Sequence, residues 1–347
     1  MSNTPAVMVD WLTAIVPIRH KAVDNGVKTH VDGDGVIQYA VTVPKKLEGS
    51  FESSINIKTN DIDEFGFGNQ LYISGNPTKF LQGHNVIGPA CPNLLILRTL
   101  QKLETICGFT LDDLTVARIN RGDYIIKRID INCMYELPSL SDVRAFIDAA
   151  GMKSRTRHGR CSVKKGTFYY GKNSKRWSIK GYSKFDEIMK GDKGHRLPAH
   201  LFNSPLLSFT ENKLRLELVL RAPELKKITD RDNPTARQLL SQPICDLFND
   251  YIARIDMSAQ VSLKDEQLLQ LPRKVQGTYA LWRQGFDVRS TMANGTFYRH
   301  KELLKQHDID ISMPCEQSNV SNVVPLIRVI EAKPVTIPTQ LLQYVVH

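Results

Sequence analysis

The stretch Lys213–Arg221 reads KLRLELVLR, with leucine at every second position from 214 to 220. Consecutive side chains of a β-strand point to opposite faces of its sheet. The stretch therefore predicts a strand with one leucine face, and the opposite face carries Arg215, Glu217, Val219 and Arg221. Strands of this kind are typical of an antiparallel sheet that packs one face on a core.

Two other stretches, 125–134 (IIKRIDINCM) and 176–183 (RWSIKGYS), have the same alternation. In the first, the side chains opposite the apolar face belong to Arg128, Asp130 and Asn132. In the second, they belong to Ser178, Lys180 and Tyr182, and the same spacing continues to Lys184. Three strands are thus predicted, each with an apolar face and a charged face.

The rest of the chain mixes further strands with helices. Strand patterns occupy 36–43, 69–74 and 167–171. Helical spacing marks 93–108 and 139–151, and each of these stretches ends in a glycine that can terminate a helix. A short helix is predicted around Asp186 and Glu187, and the pattern becomes helical beyond about residue 230.

We therefore predict an α+β protein with a central, mostly antiparallel sheet and a helical C-terminal part. The length of 347 residues fits two domains, here 1–230 and 231–347.

Charge and composition narrow the class of protein. Lysine and arginine number 46 against 36 acids, a formal charge of +10 that favours nucleic acid as a partner. The apolar run 9–18 is too short and broken for a signal peptide or membrane span, so no membrane partner is expected. The six cysteines form no C-x-x-C pair, which favours a reducing compartment. We expect a cytoplasmic protein.

The predicted charged faces allow two interpretations. They can be the polar outer face of a half-exposed sheet, or they can converge on one reactive site. In the second case Tyr182 is a candidate nucleophile, and Lys180 and Lys184 would favour its phenolate and hold a phosphate. Arginines such as Arg128 and Arg215 could clamp that phosphate or orient the acids.

Hard oxygen ligands on the same strands suggest a metal site. Asp130, Glu187 and Glu217 suit Mg²⁺ or Mn²⁺, which would polarise a phosphate oxygen. His84 lies in the string QGHN of a glycine-rich loop, 75–88, which makes it a fourth candidate ligand. A lone histidine in such a position more often stabilises the loop or the core than binds a metal. Lys79 of the same loop is a candidate DNA contact.

Two further regions are candidates for DNA binding. The basic stretch 153–165 is predicted to be an exposed loop, either a solvated hairpin tip or a phosphate-binding segment. Its candidate contacts are Arg155, Arg157, Arg160 and Lys164, and Arg176 follows them. Near the C-terminus, two helices with a turn at 292–295 fit either a helix-turn-helix or an ordinary helical hairpin. Their apolar anchors would be Trp282, Phe297 and Tyr298, and their DNA contacts Arg283, Arg289, Arg299 and Lys301.

Five short sequence motifs follow one another along the chain. They are LQGHNVIG (81–88), RID (128–130), Y-x-K-x-x-E (182–187), RLE (215–217) and NVVPLIRVIE (322–331). In this order they resemble the gene II proteins of filamentous phages and, more widely, phage and plasmid rolling-circle initiators. The resemblance covers about 70–331. The paired-histidine metal motif of many such initiators is absent.

The resemblance implies a site-specific nickase and strand transferase whose catalytic tyrosine maps onto Tyr182. Double-stranded origin DNA and single-stranded product would be its partners, with host helicase and polymerase and an oligomer on DNA as further expectations. No phosphate-binding G-x-x-x-x-G-K-[ST] motif is present, in agreement with an ATP-independent reaction. Two alternatives remain open: a non-catalytic DNA-binding regulator of replication or transcription, and a metal-dependent nuclease that uses water.

Overall fold

The computed structural model describes residues 7–23, 26–49, 53–156, 159–160, 162–163, 166–192, 195–254, 256–257, 271–283, 286–307, 309–313 and 335–347. Its strands are β1 (Val7–Lys21), β2 (Val27–Val31), β3 (Ile37–Thr42), β4 (Lys45–Glu48), β5 (Ser54–Ile62), β6 (Phe67–Gly75), β7 (Ile125–Glu136), β8 (Ser154–Thr156), β9 (Gly159–Arg160), β10 (Ser162–Val163), β11 (Thr167–Tyr170), β12 (Trp177–Ser183), β13 (Lys213–Arg221) and β14 (Asp256–Met257).

The helices lie between and after these strands. They are α1 (Pro77–Gln82), α2 (Pro92–Cys107), α3 (Asp113–Arg121), α4 (Leu140–Lys153), α5 (Lys184–Met189), α6 (Ala199–Phe202), α7 (Pro205–Phe209), α8 (Ala222–Thr229), α9 (Ala236–Leu239), α10 (Ile244–Ile252), α11 (Arg273–Arg283) and α12 (Asn294–Lys305), followed by a 3₁₀ helix (Thr339–Tyr344). None of the helices in the described ranges is both long enough and apolar enough to cross a membrane.

A nine-stranded sheet organises the part of the chain that the structure describes. Its order is β10-β11-β12-β13-β7-β1-β6-β5-β4, and each neighbouring pair is antiparallel. The predicted α+β class with a central antiparallel sheet is confirmed. The helices α2, α4 and α10 pack on one face of this sheet and close the main core.

The predicted strand faces are confirmed in the three central strands. All four leucines of β13 are buried in the main core, as are Ile129, Ile131 and Cys133 of β7. Because residues that pair directly across neighbouring strands share a face, the charged residues of β12, β13 and β7 lie together on the other side. The alternation in the sequence was therefore sufficient to predict which side chains share this surface.

The run 9–18, for which no secondary structure was predicted, forms most of β1, which lies between β7 and β6 in the sheet. Other predictions of local structure were wrong. The loop 75–88 contains the short helix α1, which begins at Pro77 and ends before Gly83 at a positive φ of 85°. Helix α4 continues past Gly151 to Lys153, and the basic stretch after it forms the short strands β8, β9 and β10 rather than one loop.

The C-terminal part contains a helix pair with its own apolar cluster. Trp282 of α11 and Phe297 of α12 are buried in this cluster, whereas Tyr298 is exposed and was wrongly predicted as an anchor. Helix α12 begins at Asn294, inside the predicted turn. In contrast, α9 and α10, which also follow residue 230, pack in the main core.

The last described segment, 335–347, returns to the sheet. The Val335 amide donates to the carbonyl of Met134 on β7, and the Val346 amide donates to Oε1 of Gln82. Leu341 is buried against Val86 and Ile87 in a third apolar cluster. The segment 335–347, here called the C-terminal strap, thus packs against the loop that follows α1. The string NVVPLIRVIE lies outside the described residues.

Candidate active site

Two rows of side chains cross the face of the central strands that lies opposite the main core, here called the open face. In one row, Lys180 of β12 pairs with Glu217 of β13, which pairs with Asn132 of β7. In the next row, Tyr182 pairs with Arg215. Register alone therefore brings the predicted nucleophile, a lysine, an acid and an arginine onto adjacent strands about 4.8 Å apart.

Tyr182 lines a cleft of about 440 Å³. The walls of the cleft include Tyr169, Lys172, Lys180, Glu187 and His195. The side chain of Tyr182 is only 5% exposed, and its hydroxyl donates to Oε2 of Glu217 at 3.4 Å. The side chain of Tyr182 therefore forms part of the cleft wall, and the Glu217 carboxylate lies where it can receive the phenolic proton.

The predicted phenolate at Tyr182 is wrong. Burial raises the pKa of the Tyr182 phenol well above its usual value of 10, and the charges of Glu187 and Glu217 raise it further. Arg215 opposes this shift, but its effect is smaller. The phenol is therefore neutral at physiological pH, and a reaction through its oxygen needs a base in direct contact.

Lys180 and Glu217 form an ion pair beside the phenol. Nζ of Lys180 lies 2.9 Å from Oε1 of Glu217 and 5.3 Å from the centre of the Tyr182 ring. Burial lowers the pKa of Lys180, but Glu217, Asp10 and Glu187 together raise it by more, so the net shift is upward. Lys180 therefore remains a cation at the cleft wall.

Lys184 is buried and does not face the cleft as a free cation. Its Nζ donates to Oδ1 of Asn85 at 2.8 Å and to Glu187 at 2.5 Å. Burial lowers the pKa of Lys184. For Glu187, burial raises the pKa, but Lys184 and His195 together lower it well below the usual range. Lys184 therefore holds the loop residue Asn85 against helix α5.

Asp10 completes this network and was missed from the sequence. Its carboxylate accepts hydrogen bonds from Asn76 at 2.6 Å and from Asn85 at 2.9 Å. A register shift between Val9 and Trp11 places Asp10 in a bulge of β1. Bulges redirect side chains next to functional sites. A single acid inside the apolar run 9–18 was the signal that could have indicated it.

Arg215 was predicted to contact DNA, and the structure contradicts this. The side chain is fully buried, and its guanidinium donates to the carbonyl oxygens of Asn85 at 2.5 Å and of Val86. Arg215 therefore fixes the loop after α1 to the sheet. Lys79 of α1 is also buried, which contradicts its predicted place on a DNA-binding surface.

His84 joins the same loop to the C-terminal strap. Its Nδ1 accepts from the Val86 amide at 3.3 Å, so that Nε2 donates to the carbonyl of Tyr344 at 3.0 Å. Burial lowers the pKa of His84 to about 4, against a smaller opposing effect of the Tyr344 carbonyl. Both ring nitrogens are thus engaged in holding the loop and the strap.

We expect His84 to make the folded protein sensitive to acid. Between pH 6.5 and about pH 4 the unfolded chain binds a proton at His84 and the folded chain does not, so stability falls as pH falls. A shift of this size corresponds to roughly 3 kcal/mol in the free energy of unfolding. Urea unfolding at several pH values should show this loss in the wild type and a smaller one in His84→Gln. The exposed His30→Gln should behave as the wild type, and equal slopes for all three proteins would contradict the assignment.

Asp130 lies at the far end of the open face. It accepts two hydrogen bonds from Arg128, at 2.7 and 2.6 Å. Burial raises the pKa of Asp130 to about 7, Glu217 raises it as well, and Arg128 opposes both. Asp130 and Glu217 are thus close enough to influence each other, although each has a cationic partner.

The four predicted metal ligands are not gathered at one point. Nowhere in the described residues do three His, Cys, Asp or Glu side chains come together as a metal site. Glu187 binds Lys184, and His84 binds the strap. Asp130 and Glu217 flank Asn132, whose buried amide oxygen and nitrogen have no hydrogen-bond partner in the described structure. These three oxygen donors fit a hard divalent cation in chemical type.

The remaining predicted DNA contacts lie in three places. Arg176 forms an ion pair with the buried Glu224 at 2.6 Å. Arg155 and Arg160 lie on β8 and β9, and Arg157 and Lys164 lie outside the described residues. Of the C-terminal set, Arg289 and Arg299 are exposed, Arg283 ends α11, and Lys301 of α12 donates to Ser312 at 2.8 Å. The role of all these residues as DNA contacts stays a prediction.

Comparison with known proteins gives matches along almost the whole chain. Residues 8–267 match the family described as the N-terminal part of the gene II replication-associated protein, and residues 263–345 match the family described as its C-terminal part. The chain is also 41% identical over 333 residues to the replication-associated protein of this type from Enterobacteria phage I2-2. That alignment covers 96% of each of the two chains.

Proposed function

Because the chain belongs to the gene II family of replication-associated proteins, we propose that this phage replication initiator nicks one strand of a double-stranded origin with Tyr182. The observation that supports the proposal most directly is the hydrogen bond to Glu217 from the hydroxyl of Tyr182, which lines a cleft together with several lysines. A nucleophile in contact with a base is the arrangement that covalent catalysis requires.

In the proposed reaction, the Tyr182 oxygen attacks the scissile phosphorus while Glu217 takes the phenolic proton. The bond between phosphorus and the 3′ oxygen breaks, and that oxygen leaves as a 3′-hydroxyl after it takes a proton from water. Lys180 would balance the charge on the phosphate, since its ammonium lies beside both Tyr182 and Glu217. The products are a 5′-phosphotyrosyl bond and a primer end for a host polymerase.

A divalent cation, Mg²⁺ or Mn²⁺, is part of the proposal. Asp130, Asn132 and Glu217 would hold it on the open face, because oxygen donors suit a hard divalent cation. When bound there, it would supply Lewis-acid polarisation of a phosphate oxygen. Glu187 and His84 are not included, because their contacts lie elsewhere.

Strand transfer would complete the cycle. The 3′-hydroxyl made after one round of synthesis attacks the phosphotyrosyl bond, which reseals the displaced circle and returns the proton to Tyr182. The phosphotyrosyl bond conserves the energy of the phosphodiester, so no ATP is consumed. The exposed Arg289 and Arg299 of the C-terminal helical part would help to hold the duplex origin. Host helicase and assembly on DNA belong to the same proposal, which places the protein in the cytoplasm of the bacterial host.

Covalent capture tests the proposed function. The purified chain is incubated with supercoiled DNA that carries the candidate origin, with Mg²⁺ or with chelator, and the products are digested with trypsin and nuclease. We expect a metal-dependent nucleotide adduct on the tryptic peptide that contains Tyr182. Cleavage without any adduct would favour a water-using nuclease, and a gel shift without cleavage would favour the binding regulator.

A further inference from the structure

A second surface of the open sheet face has features of a nucleic-acid site. It lies further along β13 and β7 than the cleft and continues onto β1, β6 and β5. Cross-strand pairing runs from Arg221 to Arg128, then to Thr13, Ser74 and Asn56. We call this row and the adjacent Trp11, Tyr72 and Lys58 the Trp11 face.

Two arginines stand directly opposite each other on the Trp11 face. Arg221 of β13 pairs with Arg128 of β7, and like charges in this position destabilise a sheet. Asp130 is engaged by Arg128, whereas Arg221 donates to the neutral hydroxyl of Ser178 at 3.2 Å. Within the described ranges Arg221 has no carboxylate at ion-pair distance. Arg221 therefore lacks an anionic partner, which a phosphate could supply.

Half-buried aromatic side chains lie beside the arginine pair. Trp11 is half-buried next to Thr13, and the guanidinium carbon of Arg128 lies 4.9 Å from the centre of its ring. Tyr72 of β6 is also half-buried, and it pairs with Ile15 of β1 and with Lys58 of β5. Aromatic rings and cations on a flat sheet suit unpaired bases, which can stack on the rings while the backbone meets the cations.

We propose that the Trp11 face binds single-stranded DNA that flanks the nick, with a phosphate between Arg128 and Arg221 and bases against Trp11 and Tyr72. The inference rests on the proposed function, because it names where the same protein holds the opened strand. Arg221 lies six residues along β13 from Arg215, the partner of Tyr182, which is about 20 Å of strand. The phosphate held there is therefore several nucleotides away from the one that is cut.

A single strand fits this surface better than a duplex. The bases of a duplex are stacked on one another and offer no ring face to Trp11 or Tyr72, whereas unpaired bases do. Burial lowers the pKa of Arg221 and the charge of Arg128 lowers it further, whereas Asp130 opposes both with a smaller effect.

Equilibrium binding tests the proposal without the need for cleavage. The full chain with Tyr182→Phe is titrated against a fluorescein-labelled oligothymidylate of about 16 nucleotides, at several salt concentrations. Arg221→Gln should weaken binding roughly tenfold and reduce the slope of log K against log salt by about 1. Trp11→Ala should weaken binding by a similar factor and leave the slope unchanged. Lys127→Gln is the matched control, because Lys127 precedes Arg128 on β7 but bonds to Asn233.

The outcomes separate this inference from the proposed function. Wild-type affinity in Arg221→Gln would overturn the inference even if Tyr182 forms the adduct. An equal loss of affinity for a blunt duplex of the same length would also overturn it. A loss confined to single strands would support it even if no adduct forms. Circular dichroism reports whether Trp11→Ala folds, and if it does not, Arg221→Gln and Tyr72→Ala decide.

Discussion

Replacing Tyr182 by phenylalanine should abolish both origin nicking and the covalent adduct, with a fall in rate of about 10⁴-fold or more. In the proposed reaction, the change removes the oxygen that forms the phosphotyrosyl bond. It leaves the ring in the cleft wall, and the folded state loses only a hydrogen bond of 3.4 Å to Glu217. The free energy of unfolding should therefore change by about 1 kcal/mol. The measurement is a single-turnover nicking assay on supercoiled origin DNA.

Tyr169→Phe provides a matched control for this variant. Tyr169 lies on the neighbouring strand β11, pairs with Lys180 and lines the same cleft. Its loss of a hydroxyl should leave the nicking rate within about an order of magnitude, as for a residue that shapes the cleft and forms no bond to phosphorus. If Tyr182→Phe nicks and Tyr169→Phe does not, the nucleophile has been assigned to the wrong strand.

Glu217→Gln should reduce the nicking rate by about 10²- to 10⁴-fold, because the neutral phenol then lacks its base. The amide keeps the size of the side chain but cannot take a proton. The deficit should narrow as the pH rises, since hydroxide can replace the carboxylate. A merely structural role for Glu217 would give a deficit that does not depend on pH. Single-turnover rates measured between about pH 6 and 10 make the distinction.

Glu136→Gln is the control for the loss of an ion pair between β7 and β13. Glu136 pairs with Lys213 at 3.0 Å, in the same two strands that carry Asn132 and Glu217, but its side chain is 64% exposed. Nicking should continue at close to the wild-type rate in this variant, because an ion pair with so exposed a carboxylate contributes little to stability. An equal loss in both variants would mean that Glu217 acts only through the stability of the sheet.

The sequence predicted which side chains of the site share one face of the sheet. It did not predict which of them are buried or how their pKa values shift. Alternation in β13 and β7 predicted that Glu217, Asp130 and Arg215 share one face, and pairing in the structure agrees. It could not predict that the loop after α1 would cover part of this face. For that reason Arg215, which the pattern assigned to phosphate, is buried under the loop that it holds.

The error at Tyr182 has a similar origin. Lys180 and Lys184 flank it in sequence, which suggested a phenolate. However, the neighbouring strand β13 brings Glu217 to its hydroxyl, and burial is the largest cause of the raised pKa of Tyr182. Contacts of this type join positions far apart in the chain, and a single sequence contains no local signal for them. The partners of Asp10, Asn76 and Asn85, are likewise distant in the chain, although a single acid inside the apolar run 9–18 was a local signal for Asp10 itself.

The C-terminal strap has a consequence for the order of folding events. The bond between His84 and the Tyr344 carbonyl joins residues 260 positions apart, and that from Val346 to Gln82 joins residues 264 apart. Closing so long a loop costs chain entropy before any contact forms, so such contacts tend to be made late. A chain that has assembled its sheet but has not yet docked the strap lacks the contacts of His84 and Gln82 that help to hold the loop after α1. Competence to cut DNA should therefore appear after the sheet has formed, in a separate and slower kinetic phase.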